Sequence, residues 1–391
     1  MRIAIVYDCL FPNTVGGAER WYRNLAERLG KRHSVTYLTR RQWGEEGPQT
    51  PFETDAVSPA SHLYTGSGRR RIWPPLRFGL GVFWHLLRHG RRYDAVHTAS
   101  FPYFHLLGAR LALRLSRSSA RLVVDWHEVW GREYWRSYLG PVGGRIGFAV
   151  ERLCLRVPDR SFTFSRLAEA RLRGYGHRAA ITRLTGEHSA DPWADGRSRD
   201  EAAAEPSPPM VVSAGRHIPE KRVSAIPAAI AVARRQIPDL RCVILGDGPD
   251  FEATRKRVGE LGLEDAVELA GRVDHDELMR RIAAASCLLH PSEREGYGMV
   301  VVEAVSLGTP AIVVRGSENA AAELVDEGVN GFTVESADAT AMADAIVRVV
   351  AAGSELRASS LDWYRDRREE LSIEGSLTEV ESSYSVLEKA R

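Results

Sequence analysis

The strongest constraint on this chain is an alternation that runs twice. Short apolar, β-branched runs are separated by stretches with helical spacing, first from the N-terminus to about residue 185 and again from residue 210. RIAIVYD (2–8), HSVTYLT (33–39), DAVHTAS (94–100), RLVVDWH (121–127) and SFTFS (161–165) read as buried strands. ERWYRNLAERLG (19–30) and FPYFHLLGARLALRLS (101–116) between them are amphipathic helices. In the second half the strands are MVVSAG (210–215), RCVILGDG (241–248), AVELAG (266–271), SCLLHPS (286–292) and TPAIVV (309–314). IPAAIAVARRQI (226–237), HDELMRRIAAA (275–285) and TAMADAIVRVVAAG (340–353) are its clearest helices. Strands that are apolar throughout need cover on both faces, so the alternation predicts an α/β chain with parallel, doubly wound sheets.

A length of 391 residues is too great for one ordinary core and fits two domains. The expected organisation is a Rossmann-like domain over 1–187, a polar connection rich in Pro, Ala, Asp and Glu over 188–209, a second Rossmann-like domain over 210–365, and a helical tail over 366–391. Ligands of such sheets sit beyond the carboxyl ends of the strands. Two facing units therefore predict one central cleft with the connection as its hinge.

Composition narrows the class. Hydrophobic residues make up 44% and charged residues 27%, as in a soluble globular protein. No apolar run approaches the roughly 20 residues of a membrane-spanning helix. MRIAIVYDCL reads as a first strand rather than a secretion signal. Cys9, Cys154, Cys242 and Cys287 are far apart, which excludes a C-x-x-C zinc or redox site and suits reduced core thiols in a cytoplasm. The net charge is +2, yet residues 1–200 carry 32 Lys+Arg against 18 Asp+Glu, and residues 201–391 carry 21 against 33. A basic first half suits an anionic or membrane-associated partner, at the inner membrane surface for a cytoplasmic protein, while nucleic acid is not expected because no binding module accompanies the charge.

Two segments carry the chemistry. In SAGRHIPEKR (213–222) a strand ends, a glycine turns the chain, and Arg216 and Lys221 follow five apart. Two cations beyond a strand end suit a diphosphate and would stabilise it as it departs. Lysine is scarce, at Lys31, Lys221, Lys256 and Lys389 only, which draws attention to Lys221. In HPSEREGYGMVVVEAVSLGTP (290–310) a strand end is followed by Glu295, a tight turn at Gly296, Tyr297 and Gly298, and a helix from about Met299. Glycines admit a ligand close to the backbone, and the free N–H groups of the helix start attract phosphate oxygens. Glu303 lies eight residues beyond Glu295, or about 12 Å at about 1.5 Å per helical residue. That span matches the reach from a ribose across a diphosphate to a sugar, with each carboxylate able to accept from a vicinal diol. The apolar residues around Glu303 predict that it is buried.

Taken together, G-R-x4-K, G-D-G-P, P-S-x2-E-G-Y-G-x4-E-A and G-x-P resemble the retaining glycosyltransferases of family 4, which have the GT-B fold. GGAERWYRNLAERL (16–29) resembles that family's N-terminal glycine loop and helix, and DAVHTAS and VVDWHE match its later strand ends. The resemblance spans about residues 1–350. It implies two doubly wound domains facing a cleft, a nucleotide-diphosphate sugar donor held mainly by the second, and an acceptor hydroxyl or amine brought by the first. It implies that Arg216 and Lys221 contact the diphosphate, that Glu295 holds the transferred sugar with backbone help from Gly296 to Gly298, and that Glu303 binds the ribose. Gly246, Asp247, Gly248, Arg272 and Val273 would lie near the base, and Gly16 and Gly17 would approach the diphosphate from the first domain. His127 stands where the family has a cleft histidine near the sugar. RGSENAAAELV (315–325) departs from the family's Gly-Gly segment, with Ser317, Glu318 and Asn319 in its place, and TGEHSAD replaces its Asn-Pro-Gly after Thr185.

His127 ends the strand VVDW, where a neutral imidazole could accept from a substrate hydroxyl or serve structurally by bonding a backbone carbonyl. Asp274-His275-Asp276 looks like a metal-binding D-x-D, but Glu277 three residues after Asp274 makes it a capping box. With diphosphate charge balanced by Arg216, Lys221 and a helix N-terminus, neither a metal nor a cofactor is expected. RRRIWPPLRFGLGVFWHLLRHGRR (69–92) joins seven Arg to two Trp and two Phe. The segment could lie on an anionic membrane surface with its aromatics inserted, but its helix is expected instead to pack Phe83, Leu86 and Leu87 on the sheet, with the leading RRRIWPP as a candidate acceptor or membrane contact. The expected function is retaining transfer from a nucleotide sugar to an envelope or lipid-linked glycan or a small natural product. The alternatives are a scaffolding or peripheral-membrane protein on a degenerate transferase fold, and a nicotinamide dehydrogenase. The latter is disfavoured because neither glycine loop completes G-x-G-x-x-G.

Overall fold

Strands that are buried along their whole length can only sit inside a sheet covered on both faces, and the computed structural model shows two such sheets. It describes residues 1–63, 71–186, 188 and 202–386. Two compact units result, Met1–Ser189 with Ser372–Arg391, and Ala190–Leu371.

The first unit holds seven parallel strands: β1 (Arg2–Val6), β2 (Ser34–Arg40), β3 (Glu53–Ser58), β4 (Ala95–Ala99), β5 (Arg121–Trp126), β6 (Arg160–Thr163) and β7 (Ala180–Arg183). Their order is β3-β2-β1-β4-β5-β6-β7. Register runs Ile3 to Val35 on one side of β1 and Ile3 to Ala95 on the other. β4 is buried at every position, while the edge strand β3 is mostly half-exposed. One core layer gathers Val6, Leu38, Val96, Val124 and Trp126 from the sheet with Phe78, Val82 and Leu86 from the helix Trp73–His89. Phe83 and Leu87 of that helix pack on the same core half-buried.

The second unit has six parallel strands: β8 (Met210–Ala214), β9 (Arg241–Leu245), β10 (Val267–Gly271), β11 (Cys287–His290), β13 (Ala311–Val314) and β15 (Gly331–Val334). Their order is β10-β9-β8-β11-β13-β15. A two-stranded parallel ribbon, β12 (Arg294–Glu295) with β14 (Glu318–Asn319), stands apart from this sheet. All four cysteines are free and buried, and burial pushes the thiols of Cys154, Cys242 and Cys287 up.

The structure differs from the sequence expectation at three places. β3, β7 and β15 were not anticipated; β3 and β7 are short, partly exposed runs without the apolar signature of the inner strands, and β15 is a buried run of only four residues that opens on a glycine. The connection expected over 188–209 is largely outside the described residues, yet its end is no free linker. Ala202 and Ala203 are buried beside Leu361, and Arg357 donates to the Ala202 carbonyl at 2.9 Å. Small alanines bury without leaving a periodic pattern. The expected division at 365 falls inside the helix Ala339–Leu371, which is interrupted at Gly353 (φ 52°). The last helix, Ile373–Val386, then packs against the first unit: Tyr384 Oη lies 2.5 Å from His97 Nδ1, and Arg28 pairs with Glu374 at 2.7 Å.

Candidate active site

In the second unit the strand order reverses between β8 and β11, and a ligand crevice is expected beyond their carboxyl ends. Both strands end there in charged loops that mirror each other. Glu220, Lys221 and Arg222 follow β8; Glu293, Arg294 and Glu295 follow β11. The two runs zip together. Lys221 Nζ donates to Glu295 Oε1, Arg222 pairs with Glu293 at 2.9 Å, and Arg294 lies 3.6 Å from Glu220. The Glu293 N–H donates to the Glu220 carbonyl at 2.8 Å. Arg222 adopts a left-handed backbone (φ 49°) between two 3-10 turns. A non-glycine residue there costs about 1 kcal/mol, and such strain collects at functional loops.

Glu295 is the focus of this arrangement. Its Oε1 also meets His290 Nε2 at 2.7 Å, from the last residue of β11. Burial alone would push the Glu295 carboxyl up, but Lys221 and His290 together hold it well below the usual carboxylate range. The side chain keeps 13% of its surface exposed. Gly296 follows, then buried Tyr297 and Gly298, which starts the helix Met299–Ser306. Gly298 has φ +108°, and a Cβ there would come within 2.6 Å of the Ala321 side chain. Glu303 is buried in that helix with 4% exposure, as the surrounding apolar run predicts. Arg216 lies exposed on the loop between β8 and Lys221.

The loops after β8, β9 and β10 are knitted by their backbones. Gly246 N–H donates to the Gly271 carbonyl at 2.7 Å, and His217 N–H to the Asp247 carbonyl at 3.0 Å. Gly246 (φ +121°) sits so close that a Cβ would fall 1.9 Å from the Gly215 carbonyl oxygen. Gly248, Arg272 and Val273 belong to the same rim, with Arg272 exposed. His217 is buried and tilted on Phe251 at 5.1 Å, and burial pushes its imidazole down against the pull of Asp247. The structure thus joins Lys221 to Glu295 directly and gathers Gly246 and Gly248 onto the loop that carries Arg216.

Gly16, Gly17 and His127 belong to the first unit. Gly16 caps and Gly17 opens the helix Gly17–Leu29 with no side-chain cap from Gly16 itself, and the Glu19 carboxylate of the first turn lies over Gly16, where a Cβ would fall 2.3 Å from its Oε2. His127 follows β5, half-buried, stacked on Phe164 at 4.4 Å and edge-on to Tyr22 at 5.8 Å. Behind it, Asp125 accepts from Trp21 at 2.8 Å and meets His97 at 2.7 Å. Burial would raise the Asp125 carboxyl, but His97 and His127 bring it below its ordinary value.

Asp274 accepts from the Glu277 N–H at 2.8 Å, so the D-x-D segment caps the helix His275–Ala283. The reciprocal half of the expected box is replaced, since Glu277 pairs with Arg281 at 2.6 Å. Among the described residues no group of three or more His, Cys, Asp or Glu is placed to hold a metal ion. Two residues escaped the sequence reading. His290 was visible only as a strand end, although a histidine closing a buried strand five residues before a candidate acid was a usable signal. Asn319 donates to the Ser292 and Val314 carbonyls at 2.9 and 2.8 Å and accepts from Ala321 N–H at 3.0 Å, which fixes the turn carrying Glu295. Only the departure at 315–325 marked it.

Residues 15–184 match the family described as Glycosyltransferase Family 4, and residues 195–360 match Glycosyl transferases group 1. A GDP-mannose-dependent alpha-(1-6)-phosphatidylinositol monomannoside mannosyltransferase of Mycolicibacterium smegmatis is 30% identical over 47% of this chain and 50% of its own length. An alpha-D-kanosaminyltransferase of Streptomyces kanamyceticus is 31% identical over 36% of each chain. The chain therefore aligns with half or less of the length of these curated relatives. A sucrose-phosphate synthase structure from Thermosynechococcus elongatus superposes with a TM-score of 0.77 at 21% identity, covering 100% of both chains. The fold is GT-B, and the chain belongs to glycosyltransferase family 4.

Proposed function

We propose that this protein is a retaining glycosyltransferase that binds a nucleotide-diphosphate sugar through its second unit and takes its acceptor through the first. The observation that carries this reading is the Lys221–Glu295–His290 cluster at the β8/β11 switch point. A carboxylate fixed in its ionised form accepts from sugar hydroxyls, and the Lys221 ammonium, with two further N–H donors, reaches a phosphate oxygen beside it. Arg216 adds a second cation for the diphosphate, and buried Glu303 supplies the carboxylate for the ribose. With these cations and the helix start at Gly298, the reading needs no metal and no further cofactor.

The reaction follows from these roles. The bond from the anomeric carbon to the diphosphate breaks, its electron pair leaving on a phosphate oxygen stabilised by Lys221 and Arg216. That oxygen takes the proton of the acceptor hydroxyl, whose oxygen bonds to the same face of the sugar. In the first unit, His127 accepts from a hydroxyl of the acceptor. The acceptor is an envelope or lipid-linked glycan, or a small natural product. The two relatives above are named for a phosphatidylinositol mannoside and a kanosaminyl transfer, one of each kind. Among the described residues no helix is long and apolar enough to cross a membrane, so a lipid-linked acceptor would be met at the membrane surface.

A panel of UDP-, GDP-, ADP- and TDP-sugars, read by thermal unfolding, tests the reading. A donor at about 100 times its Kd adds about 2.7 kcal/mol of stability. One donor raising the melting temperature in the native chain and less in Glu295→Gln is the expected result. No shift with any donor, together with vesicle binding, would instead support a scaffold on a degenerate transferase fold.

A further inference from the structure

The helix Trp73–His89 has an outward face that the first unit leaves uncovered. Trp73 is 66% exposed, Leu76 36%, Leu80 57% and Trp84 46%, and Ile72 just before the helix is 60% exposed. At about 100° per residue, Trp73, Leu76, Leu80 and Trp84 fall within one sector of about 80°. The other sides of the helix are occupied. Phe78, Val82 and Leu86 enter the core; a Cβ on Gly79 would meet the Phe104 backbone at 2.7 Å; and one on Gly81 would meet the Val57 carbonyl oxygen at 2.0 Å. The apolar stripe is therefore surplus to folding. A solvated face would carry charge at these positions.

Within the segment 71–92 the fully charged side chains are all cations, and the acid Asp55 of β3 pairs with His85 on another side of the helix. Arg77 and Arg88 are exposed next to it along the helix, and Arg71, Arg91 and Arg92 are exposed at its ends. Arg88 stacks on Trp84 at 5.0 Å. Residues 71–92 contain no Asp or Glu. Tryptophans at both ends of an apolar stripe, bordered by arginines without a single acid, match a helix lying in the interface of an anionic bilayer. The indoles enter at headgroup depth and the guanidinium groups meet lipid phosphates.

We propose that this face docks the protein on an anionic membrane surface, seating Trp73, Leu76, Leu80 and Trp84 in the interface. A protein partner burying the same stripe would need matching acids, and a second copy of this chain would bring cation against cation. The inference deepens the proposed function, on which it rests for the lipid-linked acceptor, but membrane binding is read without turnover.

The test is co-sedimentation of the full chain with phosphatidylcholine vesicles, with and without phosphatidylglycerol. Binding is expected with the anionic lipid, weakening as salt is raised, and a fall of about tenfold or more in Trp73→Glu/Leu80→Glu. Arg77→Glu/Arg88→Glu should lose the anionic preference while keeping the apolar stripe. Both variants alter exposed positions and should unfold at the native temperature. Their donor-induced thermal shift should also be native, so a lost shift in all proteins would count against the proposed function alone. Equal vesicle binding by native and variant chains, no binding at all, or a doubled mass in solution abolished by Trp73→Glu/Leu80→Glu would overturn the proposal.

Discussion

At the scale of single residues, Glu295 carries most of the argument. Lys221 and His290 both point at one of its oxygens, so the carboxylate is ionised across the neutral range. Its folded-state value is depressed, so its contribution to stability is complete above about pH 4.3 and drains away only as the pH falls toward the lower folded value. Glu295→Gln keeps the shape and removes the charge. Turnover should fall by about 10²-fold or more, as for other groups that contact the reacting centre. Because Lys221 and Glu295 keep only 22% and 13% of their surface, removing the carboxylate leaves a mostly buried ammonium unmatched and should cost about 3 kcal/mol. Steady-state rates and urea unfolding of the same preparation separate the two effects, and a folded variant with native turnover would remove Glu295 from the site. His217 gives a second measurable effect. Its folded-state value is lowered by burial, so below about pH 6.5 the unfolded chain takes up a proton that the folded one resists, and stability declines. His217→Phe keeps an aromatic ring against Phe251, and unfolding at about pH 7.5 and about pH 5.5 should show a shallower decline than in the native chain. The sequence disclosed Lys221, Glu295 and Glu303 because charge stood out against apolar or arginine-rich surroundings. It did not disclose that Lys221 and Glu295 touch each other, since residues 74 apart meet only through the strand order.

At the scale of elements, the site is made by loops whose backbones approach more closely than side chains allow. Gly246 shows this most sharply, with the Gly215 carbonyl occupying the place of a Cβ and a φ of +121°. Gly246→Ala must push the β8 and β9 loops apart, and a cost of about 2–3 kcal/mol is expected from the backbone conformation and the displaced contact. Nucleotide-sugar affinity should weaken as well, because Arg216 lies on the displaced loop; calorimetric titration against the donor measures this, and unchanged affinity would detach that loop from the donor. The inner strands were legible because burial on both faces forces continuous apolar runs. β12 and β14 were not, since a two-residue ribbon held by Asn319 leaves no periodic signal. For the helix Trp73–His89 the sequence offers both a core face, at Phe83, Leu86 and Leu87, and a membrane-facing reading of its aromatics; which residues form the uncovered stripe follows only from the neighbours of Gly79 and Gly81.

At the scale of the whole molecule, the chain leaves the first unit, builds the second and returns. The sequence showed helical character after residue 366 but gave no sign of where that helix would dock, because its anchors lie 190 to 349 residues away. Tyr384 reaches His97 at 2.5 Å, Arg32 pairs with Glu381 at 2.7 Å, and Ser376 donates to the Gly186 carbonyl at 2.6 Å. His97 in turn meets Asp125, two residues before His127. The last helix thus braces the strand end on which the first-unit histidine stands. Removing residues 372–391 should destabilise the first unit, since buried Tyr384, Val380 and Leu377 would leave apolar surface and His97 without its phenol. A loss of about 3 kcal/mol corresponds to a fall of about 6–12 °C in Tm for a unit of this size. The second unit lacks these contacts, so its donor-induced thermal shift should persist in the shortened chain. Tyr384→Phe isolates the phenol: it should cost about 1–2 kcal/mol and, by loosening His97 behind Asp125, lower turnover without changing donor affinity. Scanning calorimetry with and without donor distinguishes these outcomes, and a truncated chain melting at the native temperature would show that the helix is a passenger rather than a brace.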